Sequence, residues 1–324
     1  MRKTIHYQLI CLITLLLMIA VSLAYLSFGH TDYALTTVLA TLLGQSSQGY
    51  FTIKLLKMPQ IMVGILAGMA FGIGGNLFQR LFHNPLASPD ILGISTSASI
   101  GAMIGIMFFQ LSGLSLSLLA LISSLLGAFL IFYLGRGSSS KMILSGIALQ
   151  FMGNALISWM QVLGNDYNLA SAMRFLTGSL NDANSSDAII LLVVILIVGL
   201  LIKIFSCDFE LLKLGEELPL VLGQNKTQKR MFFLSLGVFL VAFATAITGP
   251  IASVAFIAGP ISAKITTNHK SNMLLSGLIG ALIVIFAQLL AANVLPYRYP
   301  VGVVTALLGA PYLIILLIRQ KGAS

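Results

Sequence analysis

Residues 64–95 read GILAGMAFGIGGNLFQRLFHNPLASPDILGIS, and this stretch decides the fold. Its first half is apolar, with Gly64, Gly68 and Gly72 four residues apart on one helix face and Gly74 and Gly75 following. Small residues at that spacing let two helix backbones approach closely in lipid. The glycines are read as tight packing inside a helical bundle, with a pathway-lining or dimer face as the sharper alternative. Asn76 and Gln79 follow near that face. Amides at membrane depth need partners or water, so these two point to an aqueous cavity. Pro85 and Pro89 then bar a continuous helix, and Asn84 and Ser88, each before a proline, suit a turn or cap. The pattern predicts a span that ends, a tight connection, and a new helix starting near Pro89. Asp90 then falls in its first turn, where a carboxylate suits the helix dipole. Ser95, Thr96, Ser97 and Ser99 give that next span a small, hydroxyl-rich face.

The rest of the chain agrees with this reading of span, turn and span. Of 324 residues, 58% are apolar and 8% charged, and the mean hydropathy is +1.00. Soluble proteins carry roughly 25% charged residues, and no soluble core of this length could bury so much apolar surface. An all-α polytopic membrane protein follows. A spanning helix takes about 20 residues, and ten apolar runs stand near 7–28, 59–80, 91–108, 114–134, 141–161, 188–205, 230–249, 250–266, 273–294 and 302–319. Short loops leave the whole of 1–324 as a single transmembrane domain. The first run, behind Arg2 and Lys3, is too long for a signal-peptide core and is read as a retained span.

Charge sets the orientation. With the N-terminus inside, fourteen of the Lys and Arg residues fall on the inner side, and Lys54, Lys57, Arg174 and Arg298 on the outer. Basic residues collect on the cytoplasmic side of membrane proteins, so both termini are expected in the cytoplasm. The net charge of +9 therefore reports topology rather than nucleic-acid binding. Cys11 and Cys207 both lie near the inner face and form no disulfide framework. Two loops are long. The outer one, 162–187, is polar; the inner one, 206–229, carries spaced charges that predict a short amphipathic surface helix.

Much chemistry is missing. Every Asp and Glu falls in a loop or at a span end, whereas ion-coupled transporters keep an ionisable group at membrane depth. The chain has no GxxxxGK[ST] phosphate loop, no HExxH and no spacing that would hold a metal. His6, His30, His83 and His269 are scattered. A stand-alone secondary transporter and a membrane-embedded enzyme are both disfavoured. What remains is a conduit that needs an outside source of energy.

Four motifs, in order, then carry a family resemblance. The stretch Gln79–Ser95 resembles the signature of the FecCD family of ABC-transporter permeases, G-x-x-L-Q-x-x-x-x-N-P-L-A-x-P-x-x-L-G-x-S. Leu214-Gly215-Glu216-Glu217 with Leu222-Gly223 resembles its L-G-E-E…L-G segment. Gly249-Pro250-Ile251-Ala252 resembles its G-P-I-A/G-F-V block, and Pro300–Pro311 its P-x-G-V-V-T-A-x-x-G-x-P end. Departures accompany these. Gly259-Pro260 stands where many members have Pro-His, Ser253 where Phe is usual, and Gln288 and Ala292 where an Asp and an Arg are common. Lys57-Met58-Pro59-Gln60 replaces R-x-P-R.

The resemblance implies a ten-helix bundle like the vitamin B12 importer permease, in the bacterial cytoplasmic membrane, with no enzymatic activity and no bound cofactor of its own. It implies a second permease chain, identical or paralogous, with the pathway between the two. It also implies two ABC ATPase subunits that hold the ATP, and a substrate-binding protein outside. Leu214, Gly215, Glu216, Glu217 and Gly223 would form the coupling element, within about 206–229. Lys57 and Arg298 would dock the binding protein; Lys54 joins them from its position. A salt-sensitive docking rate, slowed by Lys57→Glu, is the expectation. Gln79, Asn84, Ser95, Gln150 and Asn154 are the candidate pathway residues. The implied cargo is an iron–siderophore complex, with haem or vitamin B12 as the alternative.

Overall fold

The computed structural model describes residues 2–29, 31–135, 139–164, 166–213, 226–266, 272–294 and 299–321. Thirteen α-helices fill these residues: α1 (Arg2–Ser27), α2 (Leu35–Leu42), α3 (Met58–Leu81), α4 (Ile94–Phe109), α5 (Gly113–Leu134), α6 (Ser139–Leu163), α7 (Asp166–Leu176), α8 (Ser185–Ile204), α9 (Ser206–Lys213), α10 (Lys226–Thr248), α11 (Val254–Ile265), α12 (Met273–Leu289) and α13 (Val301–Lys321). A π-helical run, Phe51–Lys57, leads into α3, and a second, Leu290–Val294, extends α12. Each of the ten apolar runs is a helix. Seven are long and apolar enough to cross a membrane, and three apolar helices are shorter.

Two boundaries move for identifiable reasons. α4 starts at Ile94, not near Pro89: the Leu92 and Gly93 amides bond back to the Pro89 and Asp90 carbonyls at 3.2 and 2.9 Å, closing a turn first. Asp90 is therefore outside the helix, although it accepts a hydrogen bond from Ser95 Oγ in the first turn of α4. α11 starts at Val254 rather than 250, because Gly249 and Ser253 both adopt left-handed backbone conformations around Pro250. At 12 residues it rises only about 18 Å, well short of a bilayer core. The outer loop 162–187 also differs from its reading as a polar linker, since it holds α7. Within 206–229, α9 occupies Ser206–Lys213, and 214–225, the part that carries the motif of the expected surface helix, lie outside the described residues.

α3 is the axis of the bundle. It packs along α12, α10, α11 and α8, whereas α1, α5, α6 and α8 turn most of their surface outward. Leu126, Phe129, Leu144, Phe151, Ile189 and Leu200 are exposed on those outer helices, as a lipid solvent requires. The glycine face of α3 is packed, as the favoured sequence reading had it. A Cβ on Gly68 would stand 2.6 Å from Ala281 Cα and one on Gly72 2.3 Å from the Ser276 carbonyl, so α12 lies directly on the stripe. Ser276 Oγ donates to the Gly72 carbonyl at 2.8 Å across that contact. The helix after Asp90 is packed as well: Ser123 and Ser124 of α5 donate to the Ser97 and Ile94 carbonyls of α4 at 2.7 and 3.2 Å.

Candidate functional site

The residues singled out from sequence fall into three regions. At the end of the bundle where α3 terminates, α9 is fastened to α10. Phe209 and Leu212 are buried, the Phe209 and Phe233 ring centroids stand 5.0 Å apart, and Phe205 meets Phe232 edge-on at 5.2 Å. Asp208 and Lys229 form an ion pair between the two helices. The Arg230 guanidinium lies 4.9 Å from the centre of the Phe82 ring, just past the end of α3. These contacts make a firm stem on both sides of 214–225. Leu214, Gly215, Glu216, Glu217 and Gly223 themselves lie outside the described residues, as does Arg298.

At the opposite end, where α3 begins, the two lysines differ. Lys54 is exposed, its ammonium 5.3 Å from the Tyr50 ring centroid. Lys57 is half-buried and turns inward. Its ammonium donates to the carbonyls of Tyr25, Leu26 and Phe28 at 2.9, 3.3 and 2.5 Å, capping the end of α1. A cation there meets carbonyls that have no helical donor and the negative end of the helix dipole. Sequence gave no sign of this, because the partners lie about thirty residues earlier. Lys57→Met is expected to lower stability by about 2 kcal/mol, read as a fall in the detergent unfolding midpoint. Beside it, Tyr25 bonds Gln60 and accepts from Gln288 Nε2 at 3.2 Å. The buried Gln288 amide thus has its own partner.

The five pathway candidates do not converge. Gln79 is buried against α11, its Nε2 donating to the Phe256 carbonyl at 2.9 Å. Ser95 is buried and donates to Asp90. Asn84 is exposed, and its Oδ1 accepts from the Leu86 amide at 2.9 Å, which is a turn role. Gln150 and Asn154 do share a face, on α6, and Ser158 and Gln161 extend it. Asn154 and Ser158 are exposed, Gln150 and Gln161 half-buried. The 4, 4, 3 spacing was readable in sequence, but only the burial pattern shows that this polar stripe faces out of the chain. Among the described residues no cluster of His, Cys, Asp and Glu could hold a metal ion.

Among the described residues, Asp90 is a perturbed carboxylate outside the spans. Burial pushes its carboxyl above the usual range, and the Ser95 hydrogen bond pulls the other way. A group whose folded pKa is raised loses stability as pH climbs from its ordinary value through the raised one. Asp90→Asn is therefore expected to flatten the fall in unfolding midpoint over that window.

Two motif regions meet at the C-terminal end of α10, bridged by residues 175–179. The Ser179 amide donates to the Thr248 carbonyl at 2.8 Å and the Gly302 amide to the Gly178 carbonyl at 3.1 Å. A Cβ on Gly249 or Gly302 would stand 2.1 Å from the Phe175 or Thr177 carbonyl, so the GPIA and PxGVVTA motifs are joined through backbone.

Comparison with known proteins follows this geometry. The family described as the FecCD transport family matches residues 15–319. The ferric enterobactin transport system permease protein FepG of Escherichia coli K12 is 29% identical over 96% of this chain and 97% of its own. The Fe(3+)-citrate import system permease protein YfmE of Bacillus subtilis is 32% identical, with 98% of both chains covered. The hemin transport system permease protein HmuU of Yersinia pestis is 31% identical over 82% of this chain and 83% of its own. A solved inward-facing ABC transporter, assigned to the metal-chelate type, superposes with a TM-score of 0.84 at 25% identity, covering 97% of this chain and 99% of that one.

Proposed function

The chain belongs to the FecCD transport family, and from that premise we propose that it is the membrane permease of an ATP-driven importer for a ferric siderophore complex. It is an ABC-transporter permease by family, with an all-helical bundle built for lipid. The cargo reading rests on the relatives that cover 96–98% of the chain, which are named for ferric enterobactin and Fe(3+)-citrate. The relative named for hemin covers less, at 82%, and haem is the second reading.

The observation that carries the assembly is the stripe Gln150, Asn154, Ser158 and Gln161. Amides and hydroxyls on an otherwise apolar outer helix are unfavourable against hydrocarbon. A second permease chain, with a hydrated path between the two, gives them water and partners. ATP is hydrolysed on two separate subunits seated on the cytoplasmic face around 206–229, and a binding protein delivers cargo from outside. Both termini lie in the cytoplasm of a bacterial cell.

Native-membrane extraction in a gentle detergent, followed by intact-complex mass measurement, tests the assembly. Two permease chains with two ATPases is the expected mass, and it also distinguishes a homodimer from a pair of paralogues. A monomer or dimer free of ATPase would overturn the reading. Uptake of radioactive iron as ferric enterobactin, ferric citrate and haem separates the cargoes.

Lys54 is the outer charge best placed for docking, since Lys57 is committed to α1. Rim charges act mainly on encounter rate. Lys54→Glu is expected to slow binding-protein association, by about tenfold at low salt and less at high salt. Lys57→Met should leave that rate unchanged. Stopped-flow association on the reconstituted complex reads both.

A further inference from the structure

Pro260 lies inside α11 and has no backbone N–H, so the carbonyl four residues earlier, that of Phe256, loses its helical donor. That carbonyl is nevertheless satisfied. Gln79 Nε2, reaching across from α3, donates to the Phe256 carbonyl at 2.9 Å and stands 3.4 Å from that of Ala255. The other end of the same amide sits over Gly259, where a Cβ would come within 1.8 Å of Gln79 Oε1. Gly259, Pro260 and Gln79 therefore fit as a unit: proline frees the carbonyl, glycine makes room, and glutamine supplies the donor. Immediately after Gln79 comes Arg80, within electrostatic reach of Glu210 on α9 and Tyr7 on α1. The end of α3 thus touches both α11 and the stem that flanks the coupling segment.

We propose that Gln79 is a positioning residue, the joint through which the cytoplasmic end of α3 steers α11. A helix broken at proline and left with a bare buried carbonyl can bend there. With the amide in place, the Ala255–Gly259 turn of α11 follows α3. Movement of α9 and α10 then reaches α11 through Arg80 and Gln79. The bond stands independently of the chain's activity; the steering rests on the permease reading above.

The test uses hydrogen exchange by mass spectrometry on peptides covering 254–266 in four chains: wild type, Gln79→Leu, Pro260→Ala and the double variant. Gln79→Leu should speed exchange across α11 by about tenfold and leave α5 and α8 unchanged. Pro260→Ala restores an N–H to residue 260, so adding Gln79→Leu to it should change exchange by less than about twofold. Effects that multiply independently would overturn the joint. The second arm compares the assembled transporter without nucleotide and trapped with ATP and vanadate. Wild type should change its exchange at both 206–213 and 254–266. Gln79→Leu should keep the change at 206–213 and lose it at 254–266, and its persistence at 254–266 would overturn the steering. A wild-type complex with no response at 206–213 would instead count against the permease reading, and the four-chain comparison would still decide the bond.

Discussion

Gly75→Ala is expected to destroy the packed bundle while leaving the chain inserted in the membrane. A Cβ on Gly75 would lie 1.7 Å from the Ala255 carbonyl oxygen and 2.5 Å from its carbon. Both are backbone atoms, so no rotamer change relieves the clash. α11 must move away from α3, and it cannot do so alone. The Gln79 bond to Phe256 lies one turn further along, and α12 is held against Gly68 and Gly72 on the preceding turns. Overpacking costs about 1–3 kcal/mol where side chains can adjust, and more where they cannot. A loss of more than about 3 kcal/mol is expected here, seen as a polydisperse, low-melting protein in detergent. Gly199 supplies the control. It lies within α8 with nothing inside 4 Å of its would-be Cβ, and Ala is the better helix former by about 0.8–1 kcal/mol. Gly199→Ala should match or exceed the wild-type midpoint. A normal midpoint for Gly75→Ala would show that the α3–α11 contact is not as close as described.

That contrast shows where a single sequence can be read and where it cannot. The ten apolar runs were legible as helices, seven of them long enough to cross a membrane, because lipid demands long uninterrupted apolar runs, and those leave a one-dimensional trace. The stripe Gly64, Gly68, Gly72 was legible as packing because its period is that of a helix face. Its partner was not: Gly280 and Ala281 lie more than two hundred residues away, and nothing local marks them as opposite. α7 was missed because Asp166, Asn168, Ser171 and Arg174 make the stretch look like a loop, although Ala172 and Leu176 alternate with them at helical spacing. Asp90 was placed in a helix because Pro89 suits a first turn; the turn closed by Gly93 intervened. Lys57 and Gln79 are the instructive cases. The family resemblance offers Lys57 as a docking charge, and Gln79 stands among the pathway candidates. Each instead satisfies backbone carbonyls on a distant helix, a need visible only once the helix ends and the Pro260 gap are placed in space.

The second large effect lies in the segment proposed to couple the permease to an ATPase. Glu216→Lys with Glu217→Lys is expected to lower binding-protein-stimulated ATPase activity and uptake at least about tenfold, with little change in the folded permease. The two substitutions turn two adjacent negative charges into two positive ones on each permease chain. At an interface that must close and reopen with every cycle, like charges set opposite one another cost several kcal/mol, and each 1.4 kcal/mol is tenfold in an equilibrium constant. The stem explains why the fold should survive. Phe209 and Leu212 are buried, Phe205 and Phe209 pack on Phe232 and Phe233, and the Asp208–Lys229 pair joins α9 to α10. None of these contacts involves Glu216 or Glu217. The control is the unfolding midpoint of the isolated permease, expected within about 0.5 kcal/mol of wild type, as for surface changes in general. Two failures would then mean different things. A lower midpoint with lost activity would place the carboxylates in the fold of the permease. An unchanged midpoint with full stimulation would remove 214–217 from the coupling element and leave the stem, with its ion pair and aromatic contacts, as the surface against which the ATPase works.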